Sequence, residues 1–156
     1  MRHPVERVVS GGQTGVDRAA LDVALRLGYR AGGWCPRGRL AEDGAIGPAY
    51  PLDETPSDDY AERTRWNARD SDGTLILAVG ALQGGTAFTL ACTRMEQRPV
   101  HVADLSDAPQ VAAVHGWLGE HGIRTLNVAG PRASSHPGVY ELAAAFIEAV
   151  LGPKTA

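Results

Sequence analysis

The chain has 156 residues, the length of one domain with a substantial hydrophobic core, and a formal net charge of −3. That balance excludes the basic field on which non-specific nucleic-acid binding rests. Two cysteines, Cys35 and Cys92, are too few and too isolated for a disulfide framework or a zinc site, and no apolar run is long enough to span a membrane.

Met1-Arg2-His3-Pro4 leads straight into a strand without a signal-peptide core. A single cytoplasmic domain over residues 1–156 is therefore expected, with free thiols in a reducing compartment. Val5 to Ser10 is short, β-branched and apolar, as in a parallel strand covered on both faces. Gly11, Gly12 and Gly15 follow as a glycine turn, and Val16 to Gly28 reads as a helix with Val16, Ala20, Val23, Ala24 and Leu27 on one stripe. A strand, a glycine turn and a helix N-terminus together present backbone N–H groups and the positive end of a dipole, an arrangement suited to an anion. Thr14 and Asp17 also have the spacing of a capping box, the structural alternative for Asp17. Val16-Asp17 stands where a P-loop needs Lys followed by Ser or Thr, and Ser10 replaces the first glycine of a dinucleotide fingerprint, so neither motif is met.

Tyr29 to Cys35 is expected to be a second strand, shortened by Gly32-Gly33, with Cys35 at its accessible end. Pro36 to Asp58 reads as a long irregular connection, a length that is usually functional. Arg37 and Arg39 leave the strand within reach of a ligand on the glycine turn, and Glu42 and Asp43 are candidates for its polar groups. Asp59 to Ser71 is expected to be helical, and Tyr60, Arg63, Asn67 and Asp70 share one face that suits contact with a ligand or a subunit. Thr74 to Val79 is the strongest buried strand, followed by a second glycine turn with Gly84, Gly85 and Thr86 and a helix from about Ala87 to Gln97. A strand at Pro99–Ala103, a helix at Ala108–His121, a strand at Arg124–Ala129 ending in Gly130-Pro131-Arg132, and a last helix entered through Ser134-Ser135-His136-Pro137 complete the chain. Alternating strands and helices predict a three-layer α/β domain with a mainly parallel five-stranded sheet, in the order 3-2-1-4-5. Two glycine turns on one sheet edge then point to one crevice, and no His–Cys–acid cluster suggests a metal.

Four ordered segments carry a family resemblance: Gly11-Gly12-Gln13-Thr14-Gly15-Val16-Asp17, Gly33-Trp34-Cys35-Pro36-Arg37-Gly38-Arg39 with Glu42-Asp43-Gly44, Arg63 to Thr74, and Asn127-Val128-Ala129-Gly130-Pro131-Arg132. Together they resemble the molybdenum-carrier family, relatives of YpsA-like proteins in the superfamily that also holds the LOG enzymes and DprA. The resemblance spans nearly the whole chain. It implies a Rossmann-like fold, a nucleotide or similarly phosphorylated ligand over the glycine turns, and a homo-oligomer, either dimer or tetramer. LOG enzymes cleave the N-glycosidic bond of cytokinin nucleotides and carry P-G-G-x-G-T-x-x-E; here Gln83-Gly84-Gly85-Thr86 is the nearest match, and Thr89 stands where their glutamate would be.

The resulting expectation is a binding protein for a small phosphate-bearing ligand, either a nucleotide or the molybdenum cofactor. Backbone N–H groups of Gly11 to Gly15 and Gly84 to Thr86 would hold phosphate, with Arg37, Arg39 and Arg132 supplying charge beside Gly130. On this reading a bulky residue at Gly12 abolishes binding and leaves stability near wild type. The alternatives are a nucleotide hydrolase using Asp17, Glu42, Asp43 or Asp70 as acid/base, and a regulatory module that meets a partner protein through the Tyr60–Asp70 helix.

Overall fold

The computed structural model describes residues 3–107 and 110–154, and the expected helix start at Ala108 lies outside them. In chain order the elements are β1 (Arg7–Val9), α1 (Val16–Leu27), β2 (Arg30–Gly32), β3 (Trp34–Cys35), β4 (Leu40–Ala41), β5 (Gly44–Ala45) and β6 (Asp53–Glu54). They continue with α2 (Tyr60–Arg69), β7 (Gly73–Ala78), α3 (Gly84–Met95), β8 (Val100–Asp104), α4 (Val111–Glu120), β9 (Thr125–Ala129) and α5 (Val139–Leu151). Five of the strands form one all-parallel sheet in the order β2-β1-β9-β7-β8.

The α/β class and the parallel five-stranded sheet are those expected, but the strand order is not. The last strand, β9, inserts between β1 and β7. The expected 3-2-1-4-5 assumed that the chain enters a Rossmann-like sheet at its first strand. Numbered cyclically from β7, the observed order becomes 2-1-3-4-5, the other common arrangement of doubly wound sheets. The direction of winding reverses between β7 and β9.

Every residue of β7 is buried, as its unbroken apolar run demands. Leu75 and Leu77 face a large core with Val8, Leu126 and Val128, covered by α1, α4 and α5. The alternate residues Thr74 and Ile76 point to the opposite face, which α2 and α3 cover. Gly28 ends α1 in the left-handed conformation, its N–H bonded to the carbonyls of Ala24 and Leu25.

The expected strand at 29–35 breaks at Gly33. Its φ of +122° and the approach of Ser10, whose carbonyl oxygen would lie 2.4 Å from a Cβ, force the turn. Beyond it the connection is a folded flap rather than a structureless loop: β3 pairs with β6, and β4 with β5. Cys35, Ala41, Ile46 and Leu52 form a small second core against Leu21 of α1. Cys35 is consequently buried, not accessible, and burial pushes its thiol pKa up. The helix α3 starts at Gly84, three residues earlier than the sequence suggests, and α5 is preceded by Gly138 as its cap rather than by Ser134 or Ser135.

Candidate ligand-binding site

Above the point where the sheet reverses lies a cleft of about 700 Å³. Its walls are the three loops that leave the carboxyl ends of β1, β7 and β9, together with the inner faces of α2 and α3. This is where ligands of open α/β sheets bind, and the size matches a nucleotide rather than a bare oxyanion.

Of the residues singled out from sequence, Gly11, Gln13, Asp17, Tyr60, Arg63, Asn67, Gly84, Gly85, Thr86, Gly130 and Arg132 line this cleft. Gly12, Thr14, Gly15, Arg37, Arg39, Glu42, Asp43 and Asp70 do not. Each of the latter has a different structural task.

In the first glycine turn the N–H groups of Gly12, Gln13, Thr14 and Val16 are already engaged, and that of Gly15 alone among residues 12–16 has no partner among the described residues. Gly12 N–H donates to Ser10 Oγ (3.3 Å), Gln13 N–H to Asp17 Oδ2 (3.3 Å), Thr14 N–H to Gln13 Oε1 (3.0 Å) and Val16 N–H to the carbonyl of Pro131 (3.2 Å). The turn is thus largely closed by its own side chains and by the loop after β9, and no Thr14–Asp17 capping box forms, since Gly15 is the cap residue. Gly15 has a φ of +79° and lets the loop after β9 close in, since a Cβ would lie 2.4 Å from the Pro131 oxygen. Gly12 touches the flap, where a Cβ would meet Leu52 Cδ1 at 2.7 Å and Ile46 Cδ1 at 2.8 Å. The expectation that a bulky Gly12 variant keeps its stability is therefore overturned.

Asp17 and Arg63 form the floor. The Arg63 guanidinium lies across Gly11, donating from Nη1 to its carbonyl at 2.8 Å, and stands 3.8 Å from Asp17 Oδ2. Both side chains are about nine-tenths buried. Burial drives the Asp17 pKa up from 3.8 to about 6, against the opposing pull of Arg63 and of backbone N–H groups at Gln13 and Gly11. A glycine is required at position 11 because a Cβ there would come 2.3 Å from Arg63 Nη1.

The second glycine turn is open. Gln83 caps α3 without a side-chain bond, and the N–H groups of Thr86 and Ala87 both return to the Gln83 carbonyl (3.1 and 3.3 Å). The N–H groups of Gly84 and Gly85 have no partner among the described residues, and a Cβ at either glycine would meet nothing within 4 Å. Thr86 is buried beside them with its hydroxyl unpartnered among the described residues, while Thr89 donates to the Gly85 carbonyl at 2.9 Å.

The flap carries most of the remaining polar candidates. Arg39 donates to the carbonyls of Ile46, Leu52, Gly47 and Tyr50 at 2.8–3.3 Å and so holds the flap's own turns together. Glu42 accepts from the hydroxyls of Thr14 and Ser134 and from Ser134 N–H (3.1 Å), with Arg132 Nε at 3.8 Å. Those hydroxyls hold its carboxyl below the usual range. Asp43 pairs with Arg18 at 3.2 Å. Arg37 lies on the surface 4.0 Å from Asp58, and Asp70 binds Trp34 Nε1 (3.0 Å) and Arg69 outside the cleft. Glu42 thus staples the flap to the loop after β9, where it reaches the cleft through Arg132.

Sequence reasoning missed Asn127, Phe88 and His136, all of which line the cleft. Asn127 carried a signal: a polar residue inside the apolar run of a central strand, where burial requires a purpose. No group of His, Cys, Asp and Glu that could hold a metal ion occurs among the described residues, and no described helix is long and apolar enough to cross a membrane.

A solved structure named "Putative molybdenum carrier protein" from Syntrophus aciditrophicus SB is similar to this chain at 40% sequence identity, with a TM-score of 0.94 and coverage of 96% of this chain and 97% of that one. No curated protein matches. The family model for the circularly permutated YpsA SLOG family matches residues 8–151, in keeping with a sheet whose strands fall into a common doubly wound order when counted cyclically from β7. The chain belongs to the circularly permutated YpsA SLOG family.

Proposed function

We propose that this protein is a carrier-like binding protein for a phosphate-bearing ligand of nucleotide type, held in the cleft between β7 and β9. The observation that carries this reading is the uncapped start of α3. Backbone N–H groups at Gly84 and Gly85 and a Thr86 hydroxyl, all without a partner among the described residues, and the positive end of a 12-residue helix open onto a concave site. Phosphate rests there rather than on the first glycine turn, most of whose donors are already engaged by protein groups. Arg132 and Arg63 supply charge from the opposite rim and the floor. Molybdenum, which the relative's name mentions, enters such a site as part of an organic phosphorylated cofactor, because a bare oxyanion would leave most of about 700 Å³ unfilled. The protein acts in the cytoplasm as a homo-oligomer; exposed Met95 on α3 and Val102 on the edge strand β8 support self-association.

A titration calorimetry panel of nucleoside monophosphates, a phosphorylated pterin, inorganic phosphate and molybdate tests the reading. Binding of a phosphorylated heterocycle with much weaker binding of phosphate and molybdate is the expected result. Binding of molybdate alone, or of nothing in the panel, refutes it. A second reading, nucleotide hydrolysis, rests on Asp17, the one of the four candidate carboxylates that lines the cleft. Product formation that disappears in Asp17→Asn would select it.

A further inference from the structure

Below the α3 N-terminus the cleft continues downward between α2 and α3 onto the face of the sheet, where Asn127 of β9 is 3% exposed and lines it. Its Nδ2 donates to Thr74 Oγ1 of the neighbouring strand β7 at 3.1 Å, which fixes the carboxamide in the sheet. Its Oδ1 accepts no hydrogen bond among the described residues. Nor is Oδ1 sealed in the core, since among the described residues only His101 Nε2 is an unpartnered side-chain atom fully closed off from solvent. A fixed buried carboxamide therefore presents a bare acceptor to the cleft. An unfilled acceptor in such surroundings is costly unless something donates to it.

Two aromatic side chains stand in the walls of the cleft. Tyr60 of α2 and Phe88 of α3 both line the cleft, and Phe88 keeps 41% of its surface exposed. Of the other amides lining the cleft, Asn67 bonds Trp34 N–H (2.8 Å) and the Trp34 carbonyl (2.9 Å), Gln13 Oε1 accepts from Thr14 N–H and Glu42 N–H, and Gln83 stands at the phosphate end as the cap of α3.

We propose that Asn127 is the specificity-determining residue of the cleft: its Oδ1 accepts an N–H from the exocyclic amino group of a flat heterocycle inserted between α2 and α3. This rests on the proposed phosphate-bearing ligand and names what its other end must carry. Aminopurine nucleotides and phosphorylated pterins share that chemistry, whereas keto-only or unsubstituted heterocycles lack it. Removal of the acceptor should cost discrimination rather than phosphate affinity, because the phosphate sits on a different element.

The test compares ligand pairs that differ by one amino group, AMP with purine riboside 5′-monophosphate and GMP with IMP, and adds a phosphorylated pterin as the alternative source. Each is titrated into wild type, Asn127→Asp and Thr74→Val/Asn127→Leu; the double variant removes both partners so that no orphan hydroxyl remains. Wild type should prefer one amino-bearing partner by about tenfold or more. Asn127→Asp, which keeps the acceptor, should retain the preference, and the double variant should lose it. If only the pterin binds, about tenfold weakening in the double variant supports the same assignment with a pterin source. Equal affinity within both pairs in wild type, or a preference that survives in the double variant, overturns the role of Asn127 while leaving a phosphate-binding cleft intact. Absence of binding by every heterocycle, with a folded protein, would overturn both.

Discussion

Replacing Asp17 by Asn should remove a pH-dependent burden from the folded state. The carboxyl is buried, and its pKa rises to about 6 from an ordinary 3.8 because desolvation outweighs the attraction of Arg63. A rise of that size corresponds to about 3 kcal/mol of folding free energy. The sign follows from proton counting. Between about pH 4 and pH 6 the folded chain holds a proton that the unfolded chain has released, so stability falls as pH rises through that window. Above about pH 6 the cost is fully present; below about pH 4 both states are protonated and it vanishes. Glu42, Asp43 and Asp70 have lowered pKa values and work in the opposite direction, contributing stability that is lost as pH falls. The informative quantity is therefore the difference between wild type and Asp17→Asn, from urea unfolding at pH 4, 5, 6 and 7. Relative to wild type the variant should gain stability across pH 4–7 by up to about 3 kcal/mol. A flat difference over that range would refute the argument that Asp17 is a desolvated carboxyl. Anion affinity in the wild type should rise over the same interval as pH falls, since protonation of Asp17 leaves the charge of Arg63 uncompensated.

Three further substitutions separate the tasks of the site residues. Gly85→Ala has room for its methyl and a negative φ, so the thermal midpoint should stay or rise while phosphate-ligand affinity falls by at least about tenfold, read by calorimetry. Gly12→Leu should cost about 2–3 kcal/mol in chemical denaturation, since its Cβ meets Ile46 and Leu52 at a φ of +76°. Arg39→Met strips donors from four carbonyls; about 2–4 kcal/mol should be lost, with faster amide exchange and proteolysis confined to residues 36–58.

The periodic parts of the chain were legible because burial imposes a pattern on them. The unbroken run of β7, the stripe on α1 and the stop at Gly28 are each local consequences of which faces are covered. The flap was not legible. Its β3–β6 and β4–β5 pairs are two residues long, too short for any period, and Arg39 looks like a ligand-binding cation unless the four carbonyls it holds are known. Likewise, Glu42 and Asp43 lie close to a phosphate-type turn in sequence, and only the tertiary contacts with Ser134 and Arg18 show that they are staples. Three residues of the polar stripe Tyr60, Arg63, Asn67 and Asp70 share the cleft as expected, but α2 ends at Arg69, and Asp70, its C-cap, binds Trp34 and Arg69 instead.

The strand order explains why the two glycine turns, similar as text, differ in chemistry. A ligand crevice in a doubly wound sheet forms where successive crossovers diverge, which depends on spatial order and not on which strand comes first in the chain. Here the reversal falls between β7 and β9, so the loop after β7 opens onto the cleft and the N–H groups of Gly84 and Gly85 have no partner among the described residues. The loop after β1 lies one strand further along, crowded by the loop after β9 on one side and by the flap on the other, and its donors turn inward onto Ser10, Gln13 and Asp17. Its glycines are needed because neighbours come within 2.3–2.8 Å of where a Cβ would stand, whereas Gly84 and Gly85 have no such neighbours. In these two turns the crowded glycines serve packing, and Gly84 and Gly85, which no described residue crowds, leave room for a ligand.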